Sequence, residues 1–361
     1  MLKISAPVLA LILLAVGCGG SGTNVIDPKG SPAAKDLQGV SLTGAGATFP
    51  APLYQLWASE FQKESGLQVN YQSIGSGGGI QQITARTVDF GASDAPMKDE
   101  ELAKADAPLL HIPMALGAVV ITFNLPEIAK EIRMNSDTLA AIFLGKIKKW
   151  NDPAIAADNA GVSLPRSDIT VVHRSDGSGT TSIFTSYLRD VNAEWSQKVG
   201  AGKEVTWPVG LGGKGNEGVT ALVKQTPGSI GYVELVYAEQ NKLPPVSLKN
   251  SSGRFIAPSL ASITAAAKGI SVPDDLRFSI SNSSNPSAYP IAGATWILVY
   301  KTQTDATKGK ALISFLDWAL TKGQKLSPSL AYAPLSSELS TKARSKLKIV
   351  SVAASGSDAT P

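Results

Sequence analysis

ITVVHRSDGSGTTSIFTSYL, residues 169–188, changes its periodicity twice within one short stretch. Ile169-Thr170-Val171-Val172 reads as a buried strand, and His173 to Thr180 is a turn rich in Gly, Ser and Thr. Ile183, Phe184, Tyr187 and Leu188 then recur at helical spacing. Strand, small-residue turn and helix in that order form the building unit of an α/β sheet.

The same alternation extends outward on both sides. Leu53, Leu56, Trp57 and Phe61 predict a helix over 52–64 that Gly66 stops. Residues 67–71 alternate as a strand, 80–87 predict a short helix, and 88–91 a short strand. The long apolar stretch 109–124 reads as a buried strand. Ser136 is a candidate cap for a helix carrying Leu139, Ile142 and Phe143. Residues 229–234 and 296–300 are further strands, and 306–320 is an amphipathic helix. This order predicts an α/β fold with helices on both faces of its sheets.

At 361 residues the chain suggests two domains. Apolar residues make up 43% and charged residues 17%, an ordinary globular balance. A net charge of +4 with no basic run gives no electrostatic footprint for nucleic acid. One Cys and two His exclude a disulfide framework and argue against a metal centre. No cofactor is expected.

The single Cys has a telling position. Lys3 precedes an apolar run from Ile4 to Val16, followed by Gly17-Cys18. This reads as a secretory signal over 1–17, too short to span a bilayer as a helix. Ala15-Val16-Gly17-Cys18 is similar to a bacterial lipobox, so one reading makes Cys18 a lipid attachment site. The other is a plain signal peptide with an incidental Cys; the position of the chain's only Cys at that site favours lipid attachment. Residues 18–40, rich in Gly, Ser, Pro and Asp, predict a flexible tether, and 349–361 a disordered tail.

Four segments gather Gly, Ser and Thr at strand-to-helix junctions: 43–50 (TGAGATFP), 75–79 (GSGGG), 93–95 (SDA) and 173–180 (HRSDGSGT). Ligands of open α/β sheets bind at such loops, where helix N-termini offer free N–H groups. Ordinary helix capping is the competing reading for any one of them. Their recurrence, with Arg174 inside a hydroxyl-rich turn, favours an oxyanion cradle.

Enzymatic readings fare less well. Gly213 to Gly218 fits G-x-G-x-x-G but follows Trp207-Pro208 rather than a clean strand, which predicts a tight loop. No P-loop motif occurs. His173, Asp176 and Ser178 lie in one turn, where the two bonds of a relay are hard to form together. Ser178 also lacks the first Gly of a nucleophile elbow. His111, between Leu110 and Ile112, reads as a core histidine.

These segments together resemble the phosphate-binding protein of bacterial phosphate ABC transporters. The matching stretches are LTGAGATFPAPLY (42–54), NYQSIGSGGGIQQI (70–83), VDFGASDAPM (88–97), FLGKIKKWNDPAI (143–155), RSDGSGTTSIFTSYL (174–188), WPVGLGGKGNEGV (207–219) and GSIGYVEL (228–235). The resemblance implies a two-domain, type II periplasmic-binding-protein fold. Domain I would be discontinuous, 41–115 and 292–348, with domain II at 116–291.

It also implies a monomeric, non-enzymatic receptor for inorganic phosphate that serves the permease subunits and ATPase of an importer. The implied phosphate contacts are Thr48, Phe49 (backbone N–H), Ser76, Asp94, Arg174, Ser178, Gly179 (backbone N–H) and Thr180. Asp176 would pair with Arg174. The chain departs from the family pattern at His173, where a second Arg can stand, and at Gly77, where Ser is usual. His173 should point away from the ligand.

Asp94 is the odd member among the donors. Facing an anion, it is useful only if the ligand carries a proton to donate, which phosphate does near neutral pH and sulfate does not. A helix cap is the alternative role for it. Three competing functions remain open here: a receptor for another tetrahedral oxyanion, a secreted phosphatase with Ser178 or Ser76 as nucleophile, and an adhesin or sensor.

Overall fold

The computed structural model describes residues 37–352. The signal segment, Cys18, most of the tether and residues 353–361 lie outside the described residues. No helix among the described residues is long and apolar enough to cross a membrane.

Eight strands form one mixed sheet. They are β1 (Ser41–Gly46), β2 (Gln68–Ser73), β3 (Phe90–Ser93), β4 (Leu109–Phe123), β5 (Thr170–Arg174), β6 (Leu211–Gly213), β7 (Ser229–Glu234) and β8 (Ala292–Tyr300). Their order across the sheet is β2-β1-β3-β8-β4-β7-β5-β6. The β1 pairs with β2 and β3, and the β5 pairs with β6 and β7, are parallel. Those around β4 and β8 are antiparallel.

β4 holds the sheet together. Its fifteen residues are almost all buried, as a strand covered on both faces requires. Leu109 to Ala118 pair with β8, and Val119 to Phe123 pair with β7. The strand therefore serves both ends of the sheet. The domain boundary expected at 115/116 falls inside it.

Four helices matter for the site: α1 (Ala51–Ser65), α2 (Ser76–Thr84), α3 (Gly179–Val191) and α4 (Gly215–Gln225). α1 ends where expected, at Gly66 in the left-handed conformation. α2 begins four residues earlier than its apolar pattern predicts. Gly77, Gly78 and Gly79 are poor helix formers, but Gly75 at φ +87° turns the chain into the helix. β3 likewise runs two residues later than predicted and reaches Ser93.

The core is built on large aromatic side chains, and four buried tryptophans find partners for their indole N–H groups. Trp57, Trp150, Trp195 and Trp296 are fully buried. Their indole N–H groups donate to the carbonyls of Gly323, Gly228, Gly200 and Leu276 at 2.7–2.8 Å. His111 is a core residue. Its Nε2 accepts from the Met97 N–H at 2.9 Å, and burial with the nearby Arg277 charge pushes its pKa down to about 4.

The folded region is longer at both ends than the composition suggested. Leu37 is buried and its carbonyl accepts from the Val40 N–H, so the last residues of the expected tether are structured. Within the expected tail, Val350 is buried and Ser351–Val352 pair in parallel with Thr302–Gln303. A few apolar contacts outweigh the local polarity there.

Candidate functional site

The helices α1, α2, α3 and α4 start around one point, beyond the carboxyl ends of β1, β2, β5 and β6. Thr48 and Phe49 lie between β1 and α1. Two tyrosines fix this loop from behind: Tyr237 donates to the Thr48 carbonyl at 2.6 Å, and Tyr332 to the Phe49 carbonyl at 2.5 Å. The Phe49 N–H has no hydrogen-bond partner among the described residues.

Ser76 opens α2, and Asp94 follows directly on β3. The Ser76 hydroxyl oxygen accepts the Asp94 N–H at 3.2 Å and the Gly179 N–H at 3.1 Å. Arg174 is the last residue of β5, and its backbone N–H donates to the Tyr232 hydroxyl oxygen at 3.1 Å. Ser178 caps α3 by accepting from the Thr181 N–H. Thr180 stands in the first turn of the same helix.

Thr48, Phe49, Ser76, Asp94, Arg174, Ser178, Gly179 and Thr180 are all buried. The first four come from 48–94 and the others from 174–180, yet they touch. Besides the Ser76–Gly179 bond, the Gly77 N–H donates to the Gly177 carbonyl at 2.8 Å. A Cβ at Gly77 would stand 3.1 Å from the Gly177 Cα, so the missing side chain admits this close approach. Gly179 is tighter still. A Cβ there would lie 2.5 Å from the Ser76 hydroxyl oxygen and 2.6 Å from Asp94 Oδ2. Gly179→Ala is therefore expected to force the two segments apart and weaken anion binding at least about tenfold. Calorimetric titration checks this, and unchanged affinity would contradict the contact.

One cation and two carboxyls set the electrostatics. Arg174 forms a fork with Asp176, Nε to Oδ1 at 2.7 Å and Nη2 to Oδ2 at 2.6 Å. Asp176 also accepts from the Gly215 N–H at 3.0 Å. Burial works to raise the Asp176 pKa, but the Arg174 hydrogen bonds and charge hold it below the usual carboxylate range. The contribution of this pair to stability is complete above that range and fades as the pH falls through the lowered value.

Asp94 has the opposite character. Its Oδ1 accepts from the Thr295 hydroxyl at 2.8 Å, while its buried Oδ2 has no partner. Burial pushes its pKa up to about 7, against the Thr295 hydrogen bond and the Arg174 charge. It caps no helix, since the next one starts at Asp99 with Lys98 as its cap. A lone acceptor thus sits among hydroxyl and N–H donors.

The relay considered for His173, Asp176 and Ser178 is not assembled. His173 stacks on Trp207 at 4.7 Å and its Nδ1 contacts the Arg174 carbonyl oxygen. Asp176 is committed to Arg174, and the Ser178 oxygen to its own helix. The G-x-G-x-x-G segment does follow a strand, β6, contrary to the expectation from Trp207-Pro208. The strand escapes a sequence reading because it is only three residues long. Its backbone amides are already used: Gly215 donates to Asp176 and Asn216 to Thr48.

Sequence reading missed several partners. Asn216 is fully buried and bonds both Thr48 and Thr180, although it lies in a segment read as a plain loop. A buried-type polar residue inside a Gly-rich turn was the available signal. Thr295, Tyr237 and Tyr332 reach the site from distant parts of the chain, and no local pattern marks them.

Comparison with known proteins gives the family and the fold. Residues 29–322 match the PBP superfamily domain. The phosphate-binding protein PstS of Pasteurella multocida is 49% identical over 314 residues, covering 86% of this chain and 91% of that one. Among solved structures, a high affinity periplasmic phosphate-binding protein (PfluDING) bound with phosphate superposes with a TM-score of 0.70 at 22% identity, over 85% of this chain and 93% of that one. The phosphate-binding protein of Stenotrophomonas maltophilia gives 0.67 at 20% identity, over 85% and 93%. These structural likenesses speak for the fold.

Proposed function

We infer how the site works from one premise: this chain belongs to the PBP superfamily and, within it, to the phosphate-binding proteins. It is a non-enzymatic receptor that binds phosphate for an ABC importer. The cradle that holds the anion consists of Thr48, Phe49, Ser76, Asp94, Arg174, Ser178, Gly179 and Thr180, with Asp176 orienting the guanidinium.

The observation that carries this assignment is the unpartnered Oδ2 of Asp94. Phosphate entering a buried site loses its water and must regain a partner for each oxygen and for its proton. The hydroxyls, the Phe49 N–H and Arg174 supply donors, while the Gly179 N–H is committed to Ser76 Oγ. Asp94 supplies the one acceptor that a protonated oxyanion needs. Sulfate brings no proton and would leave acceptor facing acceptor, which disfavours the reading of a general oxyanion receptor. The unassembled relay disfavours the phosphatase reading.

Domain I (41–115 and 292–348) and domain II (116–291) close on the anion as a hinge, since each contributes half of the cradle. The protein works outside the cytoplasm as a monomer, delivers phosphate to the permease subunits, and relies on a separate ATPase. A lipid on Cys18 anchors it to the membrane, because the only Cys of the chain stands at the end of a signal-like run.

Two experiments test this. Incubation of the mature chain with a chromogenic phosphate ester and with labelled phosphate should give stoichiometric phosphate binding and no hydrolysis. Turnover of the ester would overturn the receptor. Cys18→Ser should release the protein from the membrane fraction, and unchanged membrane association would remove the anchor.

A further inference from the structure

Asn216 makes four hydrogen bonds at the heart of the cradle. Its Oδ1 accepts from the Glu234 N–H at 3.0 Å. A backbone N–H can only donate, so the orientation of the amide is determined and Nδ2 must face the site. Nδ2 then donates to Thr48 Oγ1 at 2.7 Å and to Thr180 Oγ1 at 3.1 Å. The Asn216 N–H adds a second bond to Thr48 Oγ1, also at 3.1 Å.

A hydroxyl has two lone pairs and one proton. At Thr48 both lone pairs are filled by Asn216. At Thr180 one is filled by Asn216, and Arg174 Nη1 lies 3.5 Å from the same oxygen. Both threonines are left with only an O–H to offer a ligand. Ser76 is in the same condition, because it accepts from Asp94 and Gly179.

We propose that Asn216 is a specificity-determining positioning residue: by saturating the acceptor side of Thr48 and Thr180, it holds both hydroxyls as donors toward the anion. Asp94 Oδ2 is thereby the one unpartnered carboxylate oxygen among the cradle residues, and a ligand is admitted by the number and position of its protons. The inference rests on the phosphate-receptor reading and deepens it. Asn216 itself needs no contact with the ligand.

Reversal of the amide gives the sharpest test. In Asn216→Asp, a carboxylate oxygen replaces Nδ2 and draws the threonine protons toward itself, although the bridge between the two segments survives. Asn216→Ala removes the bridge but lets the hydroxyls turn freely. Calorimetric titration with inorganic phosphate at pH 8 should show N216D weaker than wild type by at least about 100-fold, and N216A by about tenfold. At pH 5.5, where the new carboxyl takes up a proton and donates again, the N216D loss relative to wild type should shrink at least about fivefold. N216A should show no such recovery.

Equal losses in N216D and N216A at both pH values would reduce Asn216 to a packing residue and overturn the proposal. Should N216D show no cooperative melting transition, a Thr48→Val/Thr180→Val background carries the test. There Asn216→Ala should change the phosphate Kd by less than about twofold, since the side chain acts only through those hydroxyls. A further full loss would overturn it. Failure of the unsubstituted chain to bind phosphate would instead remove the receptor reading, and this inference with it.

Discussion

Arg174→Ala is expected to lower phosphate affinity at least about 1000-fold, the largest effect of any single substitution in the cradle. A guanidinium carries five N–H donors. In Arg174, one on Nε and one on Nη2 go to Asp176, and one on Nη1 points to Thr180 across 3.5 Å. The remaining two, on Nη1 and Nη2, form an end-on fork suited to two oxygens of one anion. Each charge-assisted bond contributes about 1.5–3 kcal/mol, and together they give the predicted loss.

The same change strands Asp176. Its side chain is only 12% exposed, so losing its partner should also lower stability by about 3 kcal/mol. Arg174→Ala combined with Asp176→Ala should restore much of that stability without restoring binding. Arg174→Lys keeps the charge but not the fork, and should fall between. Titration calorimetry and chemical denaturation read both quantities. Binding of phosphate by R174A at near-wild-type affinity would refute the cradle.

Asp94→Asn is expected to cut the preference for phosphate over sulfate by at least about 100-fold, more than it weakens phosphate binding itself. The Asn oxygen would take the Thr295 hydrogen bond that Oδ1 accepts now. The amide nitrogen would then replace Oδ2 and present a donor where an acceptor stood. Sulfate would gain a partner, and the proton of phosphate would lose one. Unchanged selectivity in a competition titration would remove the role given to Asp94.

The same variant carries a stability signature. In the ligand-free protein, burial raises the Asp94 pKa to about 7, above its unfolded value of about 3.9. Between these values the folded state holds a proton that the unfolded state lacks. This group therefore makes the ligand-free protein lose stability as the pH rises from about 4 to about 7, and changes nothing further above that. D94N should remove this slope. Melting temperatures of both proteins at pH 5 and pH 8, without phosphate, should show a smaller gap for D94N, and an identical gap would contradict the burial argument.

Much of the fold was legible because its signals are local. The strand, turn and helix of 169–188 lie where their periodicity puts them. Gly66 stops α1 as its position suggests. The site loops were legible for a similar reason: close backbone approach demands Gly, and anion cradles demand hydroxyls at helix starts. What local pattern does not carry is assembly. The start of α2 at Ser76 depends on packing that overrides three glycines. The service of β4 to both ends of the sheet depends on two pairings far away in sequence. Thr295, Tyr237 and Tyr332 reach the site across more than 180 residues of sequence, and Asn216 bridges Thr48 and Thr180; contacts of that kind leave no periodicity.

The central claim is that a buried cradle of donors with one acceptor selects an oxyanion by its proton. Competitive calorimetric titration of the mature chain with phosphate in excess sulfate at pH 8, above the value of about 7 to which burial raises Asp94, tests it most directly. The cradle predicts one phosphate per chain, displaced negligibly by sulfate. Displacement of phosphate by comparable concentrations of sulfate would contradict it.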